Sequence, residues 1–124
     1  MRKISELTTD NGIDVICEII PYIEDIMTDK ELMSEIKGKL NLSSGATKLE
    51  FYLVLVAKIS KIAPILLKKK RNAVYGILAT FNEVPVEEIG KQNLIITLRQ
   101  IKELVKDKQV MELFTSSGKS EDNE

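Results

Sequence analysis

The sequence contains no histidine and a single cysteine, Cys17. Without histidine there is no general base whose ordinary pKa lies near neutrality, no imidazole metal ligand, and no Ser-His or Cys-His pair. One thiol cannot close an intramolecular disulfide or build a multi-thiolate metal site, so a reducing cytoplasm is the expected compartment. Glycine-rich phosphate loops are also missing, because Gly76 and Gly90 stand alone. The acidic pairs Glu24-Asp25 and Glu87-Glu88 occupy neighbouring helical positions that point in different directions, so neither flanks a scissile bond. No catalytic centre, metal site or cofactor is expected.

Long hydrophobic runs are scarce as well. The most apolar stretch, Phe51 to Ala57, is soon followed by Lys58, Lys61 and Pro64, far short of the ~20 residues that cross a bilayer. It reads as a buried helix. The start, Met1-Arg2-Lys3-Ile4-Ser5-Glu6, lacks the apolar region of an export signal.

What is present is one domain's worth of helical pattern in 124 residues that are 44% hydrophobic. Ile13, Ile16, Ile20, Ile23 and Met27 follow steps of three and four, predicting a helix buried on that face, with Thr9 or Asp10 as cap and a kink or restart at Pro21. Cys17 lies on the same stripe and is expected to be buried as a small hydrophobe. Thr28-Asp29-Lys30-Glu31 has capping-box spacing and opens a second helix with Leu32, Ile36 and Leu40 inward and Gly38 at its end. Asn41 to Gly45 forms a loop. A central helix is predicted over residues 47–63, with Leu49, Tyr52, Leu53, Val56, Ile59, Ile62 and Ala63 on its stripe and Pro64 breaking it.

Val74, Ile77, Leu78 and Phe81 define the next helix, which Asn82 and Pro85 stop. A short helix follows at Val86 to Ile89, then a longer one on Leu94, Leu98, Ile101 and Val105. Val110, Leu113 and Phe114 add a terminal turn or two. The fold expected is all-α, a compact bundle of about five to seven helices over residues 1–114, with a disordered polar tail over 115–124.

The net charge of -1 conceals an uneven distribution. Residues 1–39 hold five Lys/Arg against nine Asp/Glu, residues 48–71 hold seven against Glu50 alone, and residues 72–124 hold six against nine. The basic middle either neutralises the acidic flanks within the fold or forms a docking surface. Lys61, Lys68, Lys69 and Arg71 are the candidate partner-binding residues, with Lys70 in the same run. Tyr75 joins them because it sits off the Val74, Ile77, Leu78, Phe81 face. Nucleic acid is a weak candidate for so few cations on a net acidic chain. Met27, Met33 and Met111 suit either an irregular core or a forgiving partner groove.

The order of segments resembles a known family. Lys3-Ile4-Ser5-Glu6-Leu7-Thr8-Thr9, Cys17-Glu18-Ile19-Ile20-Pro21-Tyr22-Ile23 and Lys58-Ile59-Ser60-Lys61-Ile62-Ala63-Pro64-Ile65-Leu66-Leu67 carry the first part. Phe81-Asn82-Glu83, Val86-Glu87-Glu88-Ile89-Gly90-Lys91-Gln92-Asn93 and Leu104-Val105-Lys106-Asp107 complete it. Together they resemble small tail assembly chaperones of tailed bacteriophages and prophages of Gram-positive bacteria, over residues 3–114.

The resemblance implies a small helical protein without enzymatic activity. It would bind the tape-measure protein in the host bacterial cytoplasm and keep it soluble while tail-tube subunits assemble. In many members a ribosomal frameshift adds a C-terminal extension that recruits tube subunits. The family offers no invariant site motif to carry over. The residues and the resemblance meet in one expectation, an apolar groove with a basic rim that receives amphipathic helices. A nucleic-acid-binding regulator and a subunit that self-associates through the Ile13 to Met27 or Leu94 to Val105 stripes stay open as alternatives.

Overall fold

The computed structural model describes residues 1–42 and 45–119, with side chains through Thr115. Among the described residues there are eight α-helices and no strand. The all-α expectation holds, and the helix number exceeds the expected five to seven. Order along the chain is a 3-10 turn (Ile4–Glu6), α1 (Thr9–Met27), α2 (Lys30–Leu40), α3 (Lys48–Ala57), α4 (Ile59–Lys69), α5 (Arg71–Asn82), α6 (Val86–Lys91), α7 (Leu94–Lys106) and α8 (Lys108–Lys119). No described helix is long and apolar enough to cross a membrane.

The core is built around α5, whose Ala73, Val74, Gly76, Ile77, Leu78, Ala79 and Phe81 are all buried. Its most extensive packing is against α1. Gly76 is required for that approach: a Cβ there would overlap Cζ, Cε1 and Cε2 of Tyr22 on α1. The N-terminal arm is tied to the same helix, because Arg2 donates from Nη2 to the Thr80 carbonyl at 2.8 Å and from its backbone N–H to Phe81 O at 3.2 Å. Both acceptors lie in the last turn of α5, where intrahelical donors run out; the Thr80 carbonyl also accepts from the Glu83 N–H at 3.3 Å.

Several helix boundaries follow from side-chain caps. Thr8 caps α1 by accepting from the Asn11 N–H at 3.2 Å, one residue before the expected Thr9 or Asp10. Asp29 caps α2, accepting from the Leu32 N–H at 2.9 Å, one residue after the Thr28 that the capping-box spacing points to. Thr47 and Glu50 form a reciprocal capping box at the start of α3. Gly38 does not end α2. The helix continues to Leu40, and Asn41 terminates it in the left-handed conformation at φ 53°.

The proline expectations are corrected. α1 runs unbroken through Pro21, and α4 runs through Pro64. Both rings lie on exposed faces, where the carbonyl deprived of its donor faces water, so the helix tolerates the loss. The single long helix over residues 47–63 instead divides at Lys58, whose φ of -108° and ψ of 18° end α3 and begin α4. The stretch from Phe51 to Ala57 is not a buried helix: in α3 only Leu55 is buried, and Leu49 and Leu53 are 58% and 55% exposed.

The face of α1 is corrected too. Val15, Ile19, Ile23 and Ile26 are buried, whereas Ile13 and Ile16 are exposed and Ile20 and Met27 half-buried. Cys17, expected inside, is exposed. α1 is apolar on more than one side, and contact with α5 and α8 selects which side enters the core. At the C-terminus α8 continues past Phe114 to Lys119, with the Thr115 hydroxyl donating to the Met111 carbonyl at 3.2 Å. Ser43, Ser44 and residues 120–124 lie outside the described residues, and with them much of the predicted loop and tail.

Candidate functional site

The basic run Lys68 to Arg71 spans the bend between α4 and α5, and Lys70 is the bend residue, with φ -132° and ψ 44°. Much of its charge is answered within the fold. Lys69 Nζ lies 2.7 Å from Glu35 Oε1 on α2, and this bond holds the ammonium above its ordinary pKa. Lys70 Nζ is 3.0 Å from Asp25 and 3.3 Å from Asp29, and the Asp25 bond is the main cause of its upward shift. Arg71 donates from Nε to the Leu67 carbonyl at 3.1 Å. At these positions the acidic and basic segments neutralise one another inside the molecule.

Lys61 and Lys68 stand apart from these pairs. Separated by seven residues, they project from one face of α4, and both are exposed. Tyr75 is half-buried, and a Cβ on Gly90 of α6 would sit 3.3 Å from its Cε2. Its ring therefore packs over α6. The five candidate residues do not form one patch: Lys61 and Lys68 share a face, Lys69 turns to α2, Arg71 begins α5 and Tyr75 turns to α6.

A second feature was not located from sequence. An apolar cavity of about 110 Å³ opens between α3 and the helices beneath it. Met27, Met33 and Met111, distant in sequence, meet in its wall, joined by Phe51, Tyr52 and Phe114. Ile59, Ile62 and Leu66 of α4 line it from below. The helical repeat sets Lys61 and Lys68 on the opposite side of α4 from these three, so they do not rim the cavity. Lys48 is the basic residue in its lining.

Local bonds hold α3 over this space. The Tyr52 hydroxyl donates to the Lys106 carbonyl at the end of α7 at 2.6 Å, and Lys58 Nζ donates to the Leu40 carbonyl at the end of α2 at 3.1 Å. Both acceptors are helix C-terminal carbonyls, where such donors are favourable. A lining with so little polar surface offers one service, shelter for an apolar side chain, and flexible methionines adapt to its shape.

The methionine spacing carried the only available signal for this cavity, and spacing alone cannot show that three distant residues converge. Among the described residues no group of three or more His, Cys, Asp or Glu is placed to hold a metal ion. Compared with known proteins, the chain matches no family model, no curated protein and no solved structure.

Proposed function

We propose that the chain is a non-enzymatic phage tail assembly chaperone that binds the tape-measure protein in the host bacterial cytoplasm and keeps it soluble during tail-tube assembly. The segment order quoted above supports the reading, and the observation that carries it is the methionine- and phenylalanine-lined cavity beneath α3. A long helical partner presents repeated apolar side chains, each of which such a cavity can shelter. Lys61 and Lys68, on the outer side of α4, supply a separate contact for acidic positions of the partner. Modest affinity per site suffices when many copies bind one elongated chain.

Co-expression with the large helix-rich product of the next long downstream gene tests the reading. A soluble complex that forms only when this chain is present is the expected result. Met111→Trp, which fills the cavity, should lower the yield of soluble partner, and Lys61→Glu with Lys68→Glu should reduce the salt dependence of binding. A partner that stays insoluble and unbound removes the proposal.

A self-associating structural subunit is the second reading, favoured by the exposed Leu94, Ile95 and Ile96 at the start of α7. Light scattering at several concentrations separates the two. Nucleic-acid binding is less favoured, because Lys69 and Lys70 already face Glu35, Asp25 and Asp29.

A further inference from the structure

Helix α1 buries one apolar side and displays another. Ile13 is 55% exposed and Ile16 37%, Cys17 is exposed, and Ile20 is half-buried. Their spacing of i, i+3, i+4 and i+7 makes a continuous stripe two turns long, about 10 Å. Among the described residues this second stripe is not part of the buried core, which α1 joins through Val15, Ile19, Ile23 and Ile26.

The charge that α1 itself carries has one sign: Asp10, Asp14, Glu18, Glu24 and Asp25, with no lysine or arginine. Asp25 is answered by Lys70 at 3.0 Å, which leaves Asp10, Asp14 and Glu24 as the carboxylates that border the stripe. On the helical repeat Asp10, Asp14 and Glu24 fall next to Cys17, along one edge of the stripe. An apolar strip beside carboxylates favours a ligand with apolar side chains flanked by cationic donors. It disfavours a second α1 packed on the first, which would set carboxylates against carboxylates.

We propose that this face of α1 is a docking site for a basic amphipathic helix of a partner protein, one whose apolar stripe is bordered by lysine or arginine. The site is independent of the cavity beneath α3 and of the α4 lysines, and it stands whether or not the chaperone reading does.

The test uses a fluorescently labelled model peptide of about 18 residues, with leucines at i, i+3, i+4 and i+7 and lysines along the border. One control replaces the lysines by glutamates, and another scrambles the same composition. Anisotropy with the full chain should show the lysine-bordered peptide binding at least about tenfold tighter than either control, with the advantage shrinking in high salt. Asp10→Lys with Asp14→Lys should reverse the preference, and Ile13→Ser should weaken binding about fivefold or more.

Cys17 supplies a readout on the unmodified protein, because bound lysine-bordered peptide should slow its alkylation by a maleimide. Equal binding of the scrambled peptide, no binding at all, or Cys17 alkylation unchanged at saturating peptide overturns the proposal. So does concentration-dependent dimerisation abolished by Ile13→Ser, which would assign the face to a second copy.

Discussion

The α1–α5 pair and the region under α3 solve the same packing problem differently. In the pair, small residues Ala73, Gly76 and Ala79 on α5 let the neighbouring helix close in until the Tyr22 ring rests on Gly76. Under α3 the side chains are larger and more numerous, yet a cavity of about 110 Å³ remains and Leu49 and Leu53 face solvent. The difference teaches that the amount of hydrophobicity does not decide burial. An unbroken run such as Phe51 to Ala57 has no preferred face, whereas α5 alternates large and small residues so that each neighbour finds a complementary surface.

The sharpest way to break this contrast is to truncate one aromatic on each side. Phe81 is among the largest fully buried side chains, and Phe81→Ala should cost about 3–5 kcal/mol in denaturant unfolding. Phe51, half-buried on the cavity wall, should cost roughly half as much on truncation, since less area leaves water. Equal losses would show that both regions are equally well packed.

A second comparison concerns the sign of one substitution. Ala at position 76 gains about 1 kcal/mol of helix propensity over glycine, but overlap with the Tyr22 ring costs about 1–3 kcal/mol. Gly76→Ala should therefore destabilise by about 1 kcal/mol in the natural background. In a Tyr22→Ala background the overlap is gone, and the same change should stabilise by about 1 kcal/mol. A double-mutant cycle with no coupling would remove the close-approach account of Gly76.

The edge between the regions is electrostatic. The Leu32 N–H first, and then Lys70, hold the Asp29 carboxyl below its ordinary pKa. A group with a lowered folded pKa adds stability above its unfolded value, near pH 4, and that stability is lost as pH falls through the folded value. Asp29→Ala should lower stability at neutral pH through the lost cap, read as an earlier denaturant midpoint. Asp29→Asn, which keeps an acceptor at the cap, should cost less at pH 7 and flatten the acid limb of a stability-against-pH curve. Lys69 has the opposite sign: its contribution from Glu35 is full below the ordinary lysine pKa and fades only as pH rises through the raised value.

These features differ in how far the sequence revealed them. Helix α5 was readable because Val74, Ile77, Leu78 and Phe81 fall at one helical spacing, and the start of α2 to within one residue, because Thr28 and Asp29 both offer a short side-chain oxygen before a helical pattern and the spacing to Glu31 favours the first. α1 was readable as a helix and misleading as a surface: two interleaved apolar stripes fit the same spacing, and contact with α5 and α8 selects Val15, Ile19, Ile23 and Ile26. Pro21 and Pro64 resisted a local reading because their effect depends on whether the orphaned carbonyl meets water. Of the candidate site, the exposure of Lys61 and Lys68 followed from charge. The roles of Lys69 and Tyr75 did not, because Glu35 and Gly90 reach them from distant parts of the chain. The cavity was legible only as three unexplained methionines.

The smallest expected effect bears most directly on what the region under α3 is for. Leu53 is a large apolar residue in the most hydrophobic helix, so a reading by composition alone would make Leu53→Gln costly. At 55% exposure it has little burial to lose, and the change should stay within about 0.5 kcal/mol. Leu55→Ala, two residues away and facing the cavity, should cost about 2 kcal/mol or more. If Leu53→Gln proves as costly as Leu55→Ala, the outer side of α3 is covered in solution, and the contrast between the two regions narrows to the cavity alone. If it is silent, α3 holds its place through Leu55, the Thr47–Glu50 capping box and the Tyr52 bond to Lys106. Its outer leucines are then free surface, available to a partner at no cost to the fold.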